Sequence, residues 1–356
     1  MSRLNVGIIG AGHTAGLHAK GYEESSEANI IAVCDTNEDL AIRRALDWGA
    51  RRYYKDVGEM LKDPEIDAVE IITPHALHAP IAIAALNAGK HVSMERPIAT
   101  SIEQAGEVLK AAQASGKILQ AYEPSLFYKP LLDARSLIDA GEIGRPTGLR
   151  IAATIGKSIS GVWNWAEGKD LWRFDVNQAG GSPMLFDIGY QAFAISLFLI
   201  GSVEKIDVWQ QTTKIKEGLE IDAPSTAMWK HFQSSCLGSL SLTYAPDRKM
   251  RTVHHPLEFR ITVAGTRGEI EIIRSSEPTQ LDPPVVLRRD GRRVVYGQKT
   301  SAFEDSFVRA TQNFINACAG KEEPLLRGAE ARQLLILTLA YYESARRGRS
   351  VSLQQG

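Results

Sequence analysis

Residues 6–15 read Val-Gly-Ile-Ile-Gly-Ala-Gly-His-Thr-Ala, a short apolar run that breaks into the spacing Gly10-x-Gly12-x-x-Ala15. This pattern asks for a buried parallel strand, a tight turn and a helix, in that order. Gly10 allows the turn, Gly12 lets a phosphate approach the backbone, and Ala15 lets the helix pack close to the strand. The first helical amides and the helix dipole favour a pyrophosphate there, with His13 and Thr14 in the same turn. A second apolar run, Ile30 to Val33, leads to Asp35. An acid at that place accepts hydrogen bonds from the adenosine ribose and repels a 2′-phosphate, so the pattern reads as NAD in preference to NADP. Arg43 and Arg44 are candidates to hold such a phosphate, although a solvated helix face accounts for them as well. A lone Gly-rich turn is a weak signal; strand, turn, helix, second strand and acid in sequence is a strong one.

With 356 residues the chain suits two domains with ample cores. Its 41 basic and 42 acidic residues create no field that would recruit nucleic acid or an anionic membrane. The short polar start does not read as a secretory signal. Phe186 to Ile200 is the most apolar stretch, but it is short for a membrane span and is interrupted by Asp187 and Gln191. Cys34, Cys236 and Cys318 are odd in number and far apart, which points to buried free thiols and a cytoplasmic location. His75 and His78 lack a nearby third ligand, so no metal is expected.

The first third alternates apolar runs (Asn5–Ile9, Ile30–Asp35, Ala68–Ile72, His91–Met94, Ile118–Ala121) with helical segments, the rhythm of a doubly wound parallel sheet. A ligand then belongs at the carboxyl ends of the strands. A helix over Pro130–Ala140 leads to the Gly/Pro-rich stretch Gly141–Gly148, a candidate domain boundary. Beyond it, Leu149–Ile155, Val203–Thr213, Ser225–Phe232, Leu237–Tyr244, Glu258–Ala264 and Glu269–Ile273 alternate apolar and polar residues. One helix near Pro183–Ile200 interrupts them, and helices over Phe303–Ala319 and Ala329–Arg346 close the chain. This predicts an open, mostly antiparallel sheet with helices on one face, the other face being solvated or paired with a second subunit.

A doubly wound Rossmann domain followed by an open-sheet domain resembles the glucose–fructose oxidoreductase / inositol dehydrogenase / MocA family. Local motifs carry the resemblance along nearly the whole chain. Thr73-Pro-His-Ala-Leu-His-Ala79 is similar to the family's Thr-Pro-x-x-x-His turn. Residues 85–97, Ala-Leu-Asn-Ala-Gly-Lys-His-Val-Ser-Met-Glu-Arg-Pro, resemble its Gly-Lys-His-Val-x-x-Glu-Lys-Pro segment. Gly180 to Gln191 resembles its Gly-Gly-x-x-x-x-Asp-x-Gly-x-His segment, and Glu343-Ser-Ala-Arg-Arg-Gly348 also fits. The resemblance implies a coenzyme-binding domain over residues 1–125 and a substrate and oligomerisation domain over 126–345, whose last helix is able to pack back on the first. It implies coenzyme contacts from Thr73, Pro74, His75, His78, Glu95 and Arg96, and a homodimer or homotetramer formed through the second sheet. Glu95 ends a strand near the expected nicotinamide ribose; a surface ion pair is the plainer reading. Pro97 suits a rigid turn, with a cis bond as an option.

Three positions depart from the family pattern. Arg96 stands for the usual Lys; it keeps the charge but cannot act as a base. Gln191 stands for the usual acid/base His and cannot titrate near neutrality. Tyr122-Glu123 replaces an Arg-containing aromatic stretch. Hydride removal from a carbinol needs a base. The candidates are Asp187, one helical turn before Gln191, then Tyr190 and Tyr122. Trp163, Trp165, Trp172 and Arg173 offer aromatic faces and a cation for substrate, or else packing. His254 and His255 are weaker pocket candidates, and the arginines hint faintly at an anionic sugar.

The leading expectation is an NAD(H)-dependent oxidoreductase acting on a ring carbon of a sugar, sugar derivative or cyclitol. Arg96 would polarise the oxygen, while Asp187, with Gln191 and Tyr190, would position the substrate and handle the proton. Two alternatives remain open: glycoside cleavage through transient oxidation, elimination and re-reduction, and a non-catalytic NAD(H)-binding regulator.

Overall fold

The computed structural model describes residues 3–159, 168–252, 256–275, 283–297 and 302–354. In chain order the elements are β1 (Leu4–Ile9), α1 (Ala15–Glu23), β2 (Ala28–Cys34), α2 (Glu38–Asp47), β3 (Arg52–Tyr54), α3 (Val57–Leu61), β4 (Ala68–Ile71), α4 (His78–Asn87), β5 (His91–Glu95), α5 (Ile102–Ser115), β6 (Leu119–Tyr122), α6 (Lys129–Asp139), β7 (Pro146–Ser158), α7 (Val176–Ala179), a π-helix (Met184–Gly189), α8 (Tyr190–Leu199), β8 (Val203–Gln210), β9 (Thr213–Lys216), β10 (Leu219–Ile221), β11 (Ser225–His231), β12 (Leu237–Met250), β13 (Leu257–Gly265), β14 (Gly268–Ser275), β15 (Val285–Arg289), β16 (Arg292–Tyr296), α9 (Glu304–Cys318), α10 (Gly328–Arg347) and β17 (Val351–Ser352). They divide into two compact units, Met1–Pro124 with Glu304–Leu335, and Ser125–Phe303 with Ile336–Gly356.

The first unit holds a parallel sheet in the order β3-β2-β1-β4-β5-β6. Its direction reverses between β1 and β4, the switch point at which such sheets bind ligands. Its helices start where side chains take up the first free amides. Asn37 accepts from Leu40 N, Asp56 from Glu59 N and Ser101 from Gln104 N. Gly116, at φ 64°, ends α5. On one face of the sheet Val6, Ile8 and Val33 share a core with Ala15, Ala19 and Tyr22 of α1 and with Phe314 and Ile315 of α9. Sequence reading assigned α9 to the second domain. Its apolar face instead completes the first, with Gly21 of α1 lying close against Thr311.

The second unit holds a mixed sheet in the order β16-β15-β14-β13-β7-β12-β11-β8-β17. Among the described strands of this sheet only the β12–β7 pairing is parallel. The alternation is clear in β11, where Ser225, Ala227, Trp229 and His231 are buried and the residues between them are exposed. On the buried face, Phe193 of α8 meets Trp229 and Tyr341 edge-on, and Trp229 Nε1 donates to Ser196 Oγ at 3.1 Å.

Gly141–Gly148 is not a boundary. It is a turn inside the second unit, with Ile143 buried and its carbonyl accepting from Arg267 N at 2.9 Å. The run Val203–Thr213 splits, since residues 213–221 form a separate β9–β10 hairpin turning at Gly218. Taken as one stretch, Val176–Leu199 is apolar and long enough to cross a membrane, contrary to expectation. It is 78% buried within the protein, and the Gly180–Ser182 break lies inside it. Cys34 and Cys236 are buried free thiols, and Cys318 is half-buried.

Candidate active site

The turn after β1 has the features a dinucleotide needs. Gly10 adopts φ 93°, and a Cβ there would run into the Ile72 carbonyl. Nothing lies within 4 Å of a Cβ built on Gly12, so the approach to the backbone is clear. Helix α1 begins after Thr14 with no side-chain cap and no acid in its first turn, leaving its amides and dipole to an anion. Asp35 is fixed by two backbone donors, Ala11 N at 2.8 Å and Asn37 N at 2.9 Å. Arg44 turns to its own helix, 3.4 Å from Asp47 and with its guanidinium over the Trp48 ring at 5.5 Å. Thr73 Oγ1, past the end of β4, is buried with no hydrogen-bond partner. A buried hydroxyl in that state suits a ligand. The cradle fits NAD.

One expected coenzyme contact, His78, is committed elsewhere. His78 is fully buried, with Nδ1 2.7 Å from Pro97 O and Nε2 2.9 Å from Thr73 O. It braces two loops rather than facing a ligand, and burial holds its ring below the usual histidine range. His75 is largely buried in the turn beside it, the rings 5.6 Å apart. The Arg96–Pro97 bond is cis.

The carboxyl ends of β4, β5 and β6 bring together a run of charges that sequence reading did not connect. Glu95 Oε2 accepts from Arg96 NH1 at 2.9 Å, and Arg96 Nε lies 3.2 Å from Glu123 Oε2. Glu95 Oε1 lies 3.0 Å from His18 Nε2, and His18 Nδ1 lies 3.1 Å from Glu70 Oε1. Glu70 also accepts from Tyr22 at 2.5 Å and Ser93 at 3.1 Å. Glu95 is therefore part of a sheltered network, not a surface pair.

Tyr122 is removed as a substrate ligand and proton acceptor. Its ring is fully buried 4.0 Å from His18, its hydroxyl donates to Phe307 O at 2.7 Å, and burial drives its pKa well above the ordinary value. The side chain belongs to the seam between β6 and α9.

In the second unit, Asp187 lies in the π-helix, a distortion that recurs at functional sites. Asp222 anchors that helix: it is buried and accepts from Ser182 Oγ at 2.5 Å and from Met184 N and Leu185 N at 3.0 Å each. Burial pushes its carboxyl up. Arg173 Nε lies 3.7 Å from Asp187 Oδ2, both side chains about 15% exposed or less, and the guanidinium covers the Trp172 ring at 4.5 Å. Gln191 is buried and committed, accepting from Ser125 Oγ at 3.1 Å and Arg274 NH1 at 2.9 Å. Arg274 is itself held over the Phe303 ring at 3.4 Å. Tyr190 is fully buried, which makes it a packing residue and not an accessible base. Trp163, Trp165, His254 and His255 lie outside the described residues.

A family model described as the oxidoreductase family with NAD-binding Rossmann fold matches residues 4–123, and the corresponding C-terminal domain model matches residues 131–271. The scyllo-inositol 2-dehydrogenase (NAD(+)) of Bacillus subtilis is 32% identical over 99% of this chain and 96% of its own. The chain belongs to the Gfo/Idh/MocA oxidoreductase family. Myo-inositol 2-dehydrogenase of Thermotoga maritima is 24% identical over 99% of both chains. A solved Agrobacterium radiobacter oxidoreductase, in complex with NAD+, L-tartaric acid and magnesium, shares the fold with TM-score 0.84 at 19% identity, covering 99% of this chain and 98% of that one. Arg96 and Gln191 are the positions at which the resemblance implied Lys and His, and their partners here are Glu123 and Arg274.

Proposed function

We propose that this family member is an NAD-dependent dehydrogenase that oxidises a ring hydroxyl of a neutral sugar or cyclitol. The inositol dehydrogenase relatives support the substrate class. The carrying observation is the Asp187–Arg173 pair beside Trp172. Bound nicotinamide supplies the hydride acceptor. The protein must supply a group that takes the hydroxyl proton. Asp187 is that group: Gln191 does not titrate, and Tyr190 and Tyr122 are enclosed. Arg173 orients the carboxylate, the Trp172 face packs sugar C–H bonds, and Arg96 polarises the reacting oxygen. The pairing of Arg96 with Glu95 and Glu123, and of Arg173 with Asp187, argues for a neutral polyol over an anionic sugar.

The exposed face of the second sheet carries Trp209 on β8 and Met228 on β11, 60% and 47% exposed. This supports self-association of two copies through that face.

Incubation with NAD+ and a panel of cyclitols, neutral sugars, uronates and glycosides, followed by NADH absorbance, tests the reading. Steady NADH formation with a neutral polyol is expected. Aglycone release without net NADH, or coenzyme binding without turnover of any compound, would overturn it.

A further inference from the structure

His18 is a fully buried side chain that the proposed chemistry does not use. It lies on the inner face of α1 with Ala15, Ala19 and Tyr22. Glu70 of β4 faces one ring nitrogen and Glu95 of β5 the other, at 3.1 and 3.0 Å. Tyr122 of β6 lies against the ring at 4.0 Å, tilted by 31°, and Phe307 of α9 meets its edge at 5.5 Å. An ionised carboxylate only accepts hydrogen bonds, so between two ionised glutamates both ring nitrogens donate, as only the imidazolium does. Burial opposes the charge; the hydrogen bonds and attraction of the two glutamates outweigh it and lift the ring to about 9.

The charges alternate along the network: Glu70, His18, Glu95, Arg96, Glu123. Each cation is held between two acids. Glu95 is held on one oxygen by His18 and on the other by Arg96, so its orientation depends on both. A neutral ring at position 18 donates only one hydrogen bond and leaves Glu70 and Glu95 competing for it.

We propose that His18 is the positioning residue for Arg96, acting as an imidazolium that fixes Glu95 so that Glu95 fixes the guanidinium at the carboxyl edge of the parallel sheet. The functional importance of this arrangement rests on the reading of Arg96 given above, but the test of the arrangement needs no substrate. Histidine and arginine side chains of the 15N-labelled full-length protein are observed by NMR at pH 7.5. The ring nitrogens of His18, assigned by their loss in His18→Gln, are expected at imidazolium positions. The Nε signal of Arg96, assigned by its loss in Arg96→Lys, is expected to shift in folded His18→Gln.

A neutral His18 ring, or an Arg96 signal unmoved in folded His18→Gln, overturns the proposal. Should that variant fail to fold, the His18 ring is assigned by its contacts with the Tyr122 and Phe307 rings, and the wild-type Arg96 signal followed from pH 7.5 to 10 decides. Movement in step with the His18 ring near pH 9 supports the proposal, and an Arg96 signal that ignores His18 refutes it. Failure of the dehydrogenase reading would appear separately, as absent NADH formation by the wild type.

Discussion

Arg96 Nε lies 3.2 Å from Glu123 Oε2, and the Glu123 side chain is wholly buried. The two departures at positions 96 and 123 are therefore one feature: a branched cation and the acid that holds its far side. Removing Glu123 takes one of the two acids from Arg96 and leaves Glu95 as the other. Glu123→Ala should destabilise the protein by about 2 kcal/mol, less than a buried pair broken outright. Denaturant unfolding with an unchanged midpoint would show that Arg96 does not depend on this acid.

Asp187→Asn keeps the size and the contact with Arg173 but loses the proton acceptor. Turnover should fall roughly 100- to 10,000-fold, the usual worth of general base catalysis. NAD affinity, measured by fluorescence titration, should stay within about twofold, because the coenzyme cradle lies around Gly10, Gly12 and Asp35. Near-normal turnover would remove Asp187 from the chemistry.

Asp222 satisfies the first amides of the helix that carries Asp187. Asp222→Ala should cost about 2 kcal/mol through lost capping and buried donors. It should also lower kcat, since the π-helix loses its anchor. A stability loss with kcat intact would mean that the anchor holds the fold but not the catalytic carboxylate.

The charge on His18 makes stability depend on pH. The ring binds its proton more tightly in the folded protein, at about 9 against 6.5 for the ordinary value. Its contribution is thus fully present below about pH 6.5 and is lost as pH rises through 9. Between pH 6 and 9.5 the wild type should lose roughly 3 kcal/mol more stability than His18→Gln. Parallel pH profiles for the two proteins would contradict this.

The coenzyme cradle was legible because its chemistry is local: Gly10, Gly12 and Ala15 share one turn, and Asp35 follows the next strand. The parallel sheet was legible because continuous apolar runs were bounded by caps and glycines. Strands β15 and β16 were not, since Arg288 to Arg293 reads as a charged loop although it forms a hairpin with its turn at Asp290-Gly291. The charge network was hidden because its members meet only when β4, β5 and β6 pair. Two signs were present: Glu70 within the apolar strand Ala68–Ile71, and His18 on the apolar side of α1. Arg274 likewise follows Ile270 and Ile272 on the inward face of β14. Tyr122 was misjudged because α9, distant in sequence, covers it.

Helix α9 supplies Phe314 and Ile315 to the core begun by Val6 and Ile8. A polypeptide leaving the ribosome from its amino end therefore cannot seal that core when the sixth strand emerges. It must wait until most of the remaining residues have been synthesised. The nucleotide half of the enzyme is translated ahead of the substrate half yet completed after most of it, so a nascent chain stalled between the two would display unsealed apolar surface to chaperones.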